Sequence, residues 1–254
     1  MAPNAPPRPA SRQRLPATLL LTEPLPDAGM RKLAERPELR LLVLPAPSDA
    51  ELVRALPQAD GVIMVMEQPA LSAALIERAA RLRVACRMGA GYDNIDVEAL
   101  TQRRIPLATT GAANARTVAE HALYLMLALA KRGPALERAV KSGAWPRGFG
   151  AIELAGRSTL VVGYGRIGRH VARLAAAFEM RIVVLDPHVP AEVVTREGFA
   201  RAASLAEGLR DADFVVLACA LRPATRGLID ARGFARMKPD AFIVNVARGP
   251  VIDE

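Results

Sequence analysis

Aromatic side chains make up only 4% of the 254 residues, too few to build the stacking platforms that bind single-stranded nucleic acid. Cysteine is almost absent. Cys86 and Cys219 sit inside apolar runs and are expected to be buried, reduced thiols, and no CxxC or Cys/His cluster offers a metal site. No apolar run is long enough to cross a bilayer, the most lipid-like being residues 122–130. Acidic charge is in deficit, 26 Asp and Glu against 34 Lys and Arg, which leaves +8. That excess suits nucleic acid or an acidic ligand. The sequence has no run of basic residues, however, and Arg8, Arg12 and Arg14 lie in an N-terminal tail, so a solvated basic surface is the preferred reading. Neither nucleic acid nor a membrane is expected as a partner. Residues 1–16 lack the apolar core of a secretory signal, and their five prolines oppose a helix. They are expected to be a disordered tail on a cytoplasmic protein.

Apolar residues are nonetheless 51% of the chain, enough for a substantial core. Short apolar runs begin near Thr18, Arg40, Val62, Arg83 and Pro106, and again near Thr159, Arg181, Phe214 and Phe242. Helical spacing separates them, as in Ile167, Val171, Leu174, Ala175 and Phe178. Such alternation predicts an α/β fold with two parallel sheets covered on both faces. A boundary near Thr110 divides residues 17–110 from 111–254. From Asn114 to Lys131 the pattern reads as one long helix bridging the two, with Thr117 and Glu120 as a capping box and Gly133-Pro134 as its end.

Three segments carry chemistry. Gly163-Tyr164-Gly165-Arg166-Ile167-Gly168 follows a strand and opens an amphipathic helix. Glycines there allow a tight turn and bring backbone N–H groups to a pyrophosphate at a helix N-terminus. The next strand ends in Asp186, eighteen residues past Gly168, where a carboxylate accepts hydrogen bonds from ribose hydroxyls and repels the extra phosphate of NADP. The second segment, 88–96, is a strand-to-helix turn whose backbone N–H groups suit a carboxylate. The third, 245–250, ends the last strand. Arg248 there would bind a carboxylate and polarise a neighbouring keto oxygen, or be an ordinary surface arginine.

With GAGYDNID at 89–96, VAEH at 118–121, GYGRIGR at 163–169, TRGLID at 225–230 followed by Met237-Lys238-Pro239, and NVARGPVIDE at 245–254, the sequence resembles the D-isomer-specific 2-hydroxyacid dehydrogenase family, with phosphoglycerate-dehydrogenase-like motifs. The resemblance implies two Rossmann-like domains, a flavodoxin-like substrate domain and an NAD-binding domain. It implies NAD as cofactor, a small D-2-hydroxy or 2-keto acid as substrate and a homodimer as the assembly. It assigns the substrate carboxylate to the amides of Ala90 and Gly91 and the catalytic arginine to Arg248. Cofactor contacts fall on Gly163, Gly165, Arg166, Ile167, Gly168, Asp186, Thr225 and Ala247.

Departures accompany it. Gly111-Ala112 replaces the family's Pro-Gly or Pro-Asn, and Ala220 its proline before Leu221. Met64-Val65-Met66-Glu67 stands where phosphoglycerate dehydrogenases place a phosphate-gripping arginine, and Glu67 disfavours a phosphorylated substrate. The family's proton acceptor, a histidine paired with a glutamate, lies downstream of Arg248, whereas this sequence ends at Glu254. His121, His170 and His188 are read as structural or surface residues. The expectations are an incomplete second domain, little or no turnover, and an aggregation-prone edge at 242–246. A non-catalytic NAD(H) sensor is the alternative.

Overall fold

The computed structural model describes residues 16–46 and 48–254. The tail expected over 1–16 lies outside these residues, apart from Pro16. The chain divides into two compact units, Met1–Thr110 and Gly111–Glu254.

The first unit runs β1 (Ala17–Leu21), α1 (Asp27–Ala34), β2 (Leu39–Val43), α2 (Asp49–Ala55), β3 (Gly61–Met64), α3 (Ala73–Arg78), β4 (Val84–Arg87), α4 (Val97–Gln102) and β5 (Leu107–Thr109). Its sheet is parallel, in the order β2-β1-β3-β4-β5, the flavodoxin-like arrangement. Leu20, Val62, Met64 and Ala85 from the strands bury against Leu52, Ile76 and Leu100 from the helices. Side chains fix the helix starts. Ser48 accepts the N–H of Glu51 at 3.3 Å, and Asp96 accepts that of Ala99 at 2.9 Å, each satisfying a donor that has no partner inside its helix.

The second unit runs α5 (Ala115–Ala130), α6 (Gly133–Lys141), β6 (Ser158–Val162), α7 (Arg166–Ala177), β7 (Arg181–Leu185), α8 (Ala191–Arg196), β8 (Ala200–Arg201), α9 (Leu205–Asp211), β9 (Phe214–Leu217), α10 (Ala231–Phe234) and β10 (Phe242–Asn245). Its parallel sheet has the order β10-β9-β6-β7-β8. The inner strands β6 and β9 are buried at every position, which explains their unbroken apolar sequence. Ala119, Ala122 and Met126 of α5 and Val171 and Ala175 of α7 cover one face, around Phe214 and Val216. Leu160, Val215, Leu209 and Ile229 form the core of the other.

Asp213 joins three parts of this unit. Its carboxylate accepts the N–H of Ser158 at 2.8 Å and the ammonium of Lys238 at 2.9 Å. Burial works against the charge, but the hydrogen bonds from Lys238 and Ser158 prevail and hold the carboxyl below its usual range.

Each strand expected from the sequence is present and begins within one residue of its expected start. Several details differ. The long helix packs into the core of the second unit. It starts at Ala115 after Asn114, so Thr117 lies inside it and caps nothing, while Glu120 pairs with Arg116 at 3.4 Å. Gly133-Pro134 opens α6 rather than merely closing α5, since proline suits a first helical turn. Phe178 caps α7 and is 40% exposed, outside the apolar stripe expected to include it. Cys86 and Cys219 are half-buried rather than fully buried, and both are free thiols.

Candidate functional site

In a parallel sheet every strand's C-terminal end points the same way, and the loops leaving those ends share one edge of the unit. In the second unit this edge gathers the residues singled out by sequence. Residues 163–168 follow β6, Asp186 follows β7, residues 218–225 follow β9 and residues 245–248 follow β10.

The glycine turn is dictated by close approach. Gly163 has φ +92°, and a Cβ on it would lie 2.7 Å from the backbone N and Cα of Cys219. A Cβ on Gly168 would lie 2.0 Å from the carbonyl oxygen of Gly163. Neither position tolerates a side chain without moving the backbone. Gly165 differs, because a Cβ there meets nothing within 4 Å. It caps the twelve-residue helix α7 without a side-chain hydrogen bond. The N–H groups of Arg166, Ile167 and Gly168 have no acceptor among the described residues. Such a turn, open in front and lined by orphan donors at the positive end of a helix dipole, fits a diphosphate.

Asp186 sits beside this turn. One carboxylate oxygen accepts the N–H of Tyr164 at 2.7 Å and the other that of His188 at 2.8 Å. Tyr164, one of the variable positions of the glycine motif, is buried at 1% exposure. Its ring meets Phe199 edge-on at 6.4 Å and carries the Arg169 guanidinium 4.6 Å above its centre. Burial, reinforced by the nearby charge of Glu197, pushes its phenol up to about 12. The ring thus anchors the turn from below while its amide holds Asp186.

The remaining candidates lie in loops that hold themselves. Thr225 donates its hydroxyl to Ala220 at 2.7 Å and accepts the N–H of Arg222 at 2.8 Å, which closes the loop after β9. Asn245 accepts the N–H of Ala247 at 2.9 Å and donates to the carbonyl of Arg248 at 2.8 Å. Half-buried Arg248 donates to the carbonyl of Ala247 at 2.8 Å. Asn245 is therefore the residue that shapes the Ala247–Arg248 turn. Sequence reasoning missed it, although an amide two residues before a turn is a recognisable signal. His121 and His188 are exposed and His170 half-buried.

In the first unit the loop after β4 presents Ala90, exposed, and Gly91, half-buried. Their N–H groups have no acceptor among the described residues. Asp96, within the same motif, is the cap of α4. Burial pushes the thiols of Cys86 and Cys219 up, so neither is a ready thiolate nucleophile. Among the described residues no cluster of His, Cys, Asp or Glu is arranged to hold a metal ion, and no helix is long and apolar enough to cross a membrane. A groove of about 630 Å³ beside β10, lined by Leu125, Leu129, Ile152 and Phe242 among others, includes none of the cofactor or substrate candidates.

An open parallel sheet with a glycine turn, orphan helix-start amides and an acid at the next strand end defines a dinucleotide-binding unit. Residues 123–254 match the family model described as the D-isomer specific 2-hydroxyacid dehydrogenase, NAD binding domain. The chain is 38% identical over 237 residues to the D-3-phosphoglycerate dehydrogenase of Methanocaldococcus jannaschii, covering 93% of this chain and 45% of that protein. It is 32% identical to the glyoxylate reductase of Pyrococcus furiosus, covering 92% of this chain and 72% of that one. A crystal structure of a glyoxylate reductase from Paecilomyes thermophila superposes with a TM-score of 0.82 at 28% identity, covering 93% and 75%. The chain belongs to the D-isomer-specific 2-hydroxyacid dehydrogenase family, and its second unit is the NAD-binding domain of that family. It spans a little under half the length of the phosphoglycerate dehydrogenase named above.

Proposed function

We propose that this protein serves hydride transfer between NAD and a small, non-phosphorylated D-2-hydroxy or 2-keto acid. The observation that carries the reading is Asp186, held beside the glycine turn by two backbone N–H groups. In this reading the first-turn amides of α7 bind the cofactor's diphosphate and Asp186 accepts the adenosine ribose hydroxyls. Ala90 and Gly91 receive the substrate carboxylate through their N–H groups. Arg248 supplies positive charge where the keto oxygen gains negative charge. Ala247 lines the nicotinamide side, and Thr225 borders the cofactor through the loop it closes. Bound NAD supplies the hydride chemistry, and the protein's part is orientation and electrostatics. Glu67, after β3, supports a preference for glyoxylate or hydroxypyruvate over 3-phosphohydroxypyruvate.

The decisive test is binding. NADH and NADPH are titrated by nicotinamide fluorescence. NADH is expected to bind at least tenfold more tightly, on the order of the 1.4 kcal/mol that one repelled phosphate charge contributes near a surface. Asp186→Ala is expected to narrow the gap. Equal or tighter NADPH binding by the unaltered protein would overturn the assignment.

We further propose a cytoplasmic homodimer. Free thiols support the compartment. Large apolar side chains exposed in one stretch of the second unit support the assembly: Tyr124 at 60%, Val140 at 54% and Trp145 at 79%. Sedimentation is expected to give a dimer that Trp145→Glu weakens. A monomer at micromolar concentration would refute it.

A further inference from the structure

The loop that presents Ala90 and Gly91 is backed by a buried cation. Arg87, the last residue of β4, is only 7% exposed. Its Nη1 donates to the carbonyl oxygen of Val65 at 2.7 Å and also to that of Met88. Val65 follows β3, so one guanidinium joins the loop after β3 to the loop after β4. Val65 is itself held, its N–H donating at 2.9 Å to the hydroxyl of the fully buried Thr22, the first residue after β1. Met88 also donates its N–H to Met64 at 2.9 Å, and Thr110 donates to Gly89 at 3.3 Å. Gly89 lies against the guanidinium, and a Cβ there would stand 3.1 Å from Arg87 Nη1.

The geometry follows from these bonds. A peptide group's C=O and the next residue's N–H point in opposite directions. Drawing the Met88 carbonyl inward onto Arg87 fixes the first peptide plane of the turn. The Gly89 carbonyl is fixed in turn by Thr110. The second of these planes carries the N–H of Ala90, which therefore points away from the Gly89 carbonyl and its Thr110 partner, and Gly91 follows directly on this fixed segment. A guanidinium suits this task, since the two hydrogens of its planar Nη1 reach two carbonyls at once and it stays charged at any working pH.

We propose that Arg87 is a positioning residue for the substrate carboxylate: it ties the Val65 and Met88 carbonyls together and so holds the Ala90–Gly91 amides in carboxylate-accepting orientation. The inference rests on the reading that these amides receive the carboxylate. The ligand is a 2-keto carboxylate that Arg87 itself does not touch, and Arg87 has no part in holding NAD.

The test uses the 254-residue chain with oxamate, an isostere of a 2-keto acid, titrated in the presence of saturating NADH. Three variants are compared: Arg87→Lys, Arg87→Gln and Gly91→Pro, the last removing one of the amides outright. For Arg87→Gln we expect oxamate affinity to fall about tenfold or more, the scale of losing a charge-assisted hydrogen bond. Arg87→Lys should recover part of it, because an ammonium keeps the charge but reaches the two carbonyls less well. NADH affinity should stay within twofold in both. A merely structural role would lower the thermal midpoint and speed hydrogen exchange across β3 and β4 together with the loss of oxamate affinity. If Arg87→Gln does not fold, Arg87→Lys alone decides, by whether oxamate affinity falls while the thermal midpoint and that exchange are unchanged. Unchanged oxamate affinity in a folded Arg87 variant, with Gly91→Pro abolishing binding, would overturn the proposal and leave the carboxylate site standing. If the unaltered protein binds NADH but not oxamate, the carboxylate reading and this inference fall together.

Discussion

The two units are built on nearly the same plan, five parallel strands with helices between them, yet they invest different loops. In the second unit the ligand features surround the point where strand order reverses, between β6 and β9, as open α/β sheets are known to do. In the first unit the reversal falls between β1 and β3, while the exposed amides lie one strand further, after β4. Arg87 bridges that offset by tying the loop after β4 to the one after β3. The second unit shapes its proposed anion site by removing side chains, at Gly163 and Gly168. The first shapes its loop by burying a large charged one. Shared topology sets which edge of a sheet is available, and local chemistry decides which loop is used.

Substitutions that strike one unit and spare the other test this contrast. The largest effect is expected from Gly168→Ala. Its methyl would meet the Gly163 carbonyl at 2.0 Å, so α7 must shift off β6, with a cost on the order of 3 kcal/mol. NADH binding should be lost, and hydrogen exchange at β3 and β4 should be unchanged. Equal exposure of both units would mean that they do not respond separately.

Asn245→Ala comes next. It strands the Ala247 N–H and the Arg248 carbonyl at a cost of about 1–2 kcal/mol. That corresponds to a thermal midpoint roughly 2–8 °C lower, with NADH affinity reduced as well, because Ala247 is proposed to line the nicotinamide side. Unchanged NADH affinity would show that the turn only shapes itself and does not contact the cofactor.

The smallest effect concerns pH. Asp213 has a lowered folded pKa, so its contribution to stability is complete above the usual carboxylate value. It is lost as pH falls through the lower folded value. Thermal midpoints of Asp213→Asn measured from pH 6 down to pH 3 should fall less steeply than those of the unaltered chain. Parallel curves would remove Asp213 from the acid response.

Periodicity and glycine spacing made most of this legible in advance. The two-residue strand β8 was missed because Ala200 and Arg201 are both exposed and leave no apolar pattern. The extent of α5 was legible, but its cap was misassigned because Thr117 and Glu120 have the right types at the right spacing for a capping box; Asn114 precedes the helix and Thr117 lies inside it. The glycine turn and Asp186 were visible because their chemistry is local. Arg87 and Asp213 were not, because each takes its meaning from partners 22 and 55 residues away. Asn245 fell between these cases: its partners are two and three residues on, but an asparagine at a strand end has many alternative uses.

The hydrogen bonds of Asp186 bear on attempts to re-engineer the cofactor preference. The usual strategy would replace this acid with a small or basic residue to admit a 2′-phosphate. Here the same carboxylate receives the amides of Tyr164 and His188, so any such replacement also frees two backbone donors and loosens the glycine turn, at about 1 kcal/mol for each bond lost. A designer would need to supply a new acceptor for the Tyr164 amide together with the new cation. If Asp186 sets the cofactor choice as proposed, that choice and the rigidity of the turn are coupled at position 186 and separate only when a second acceptor is supplied.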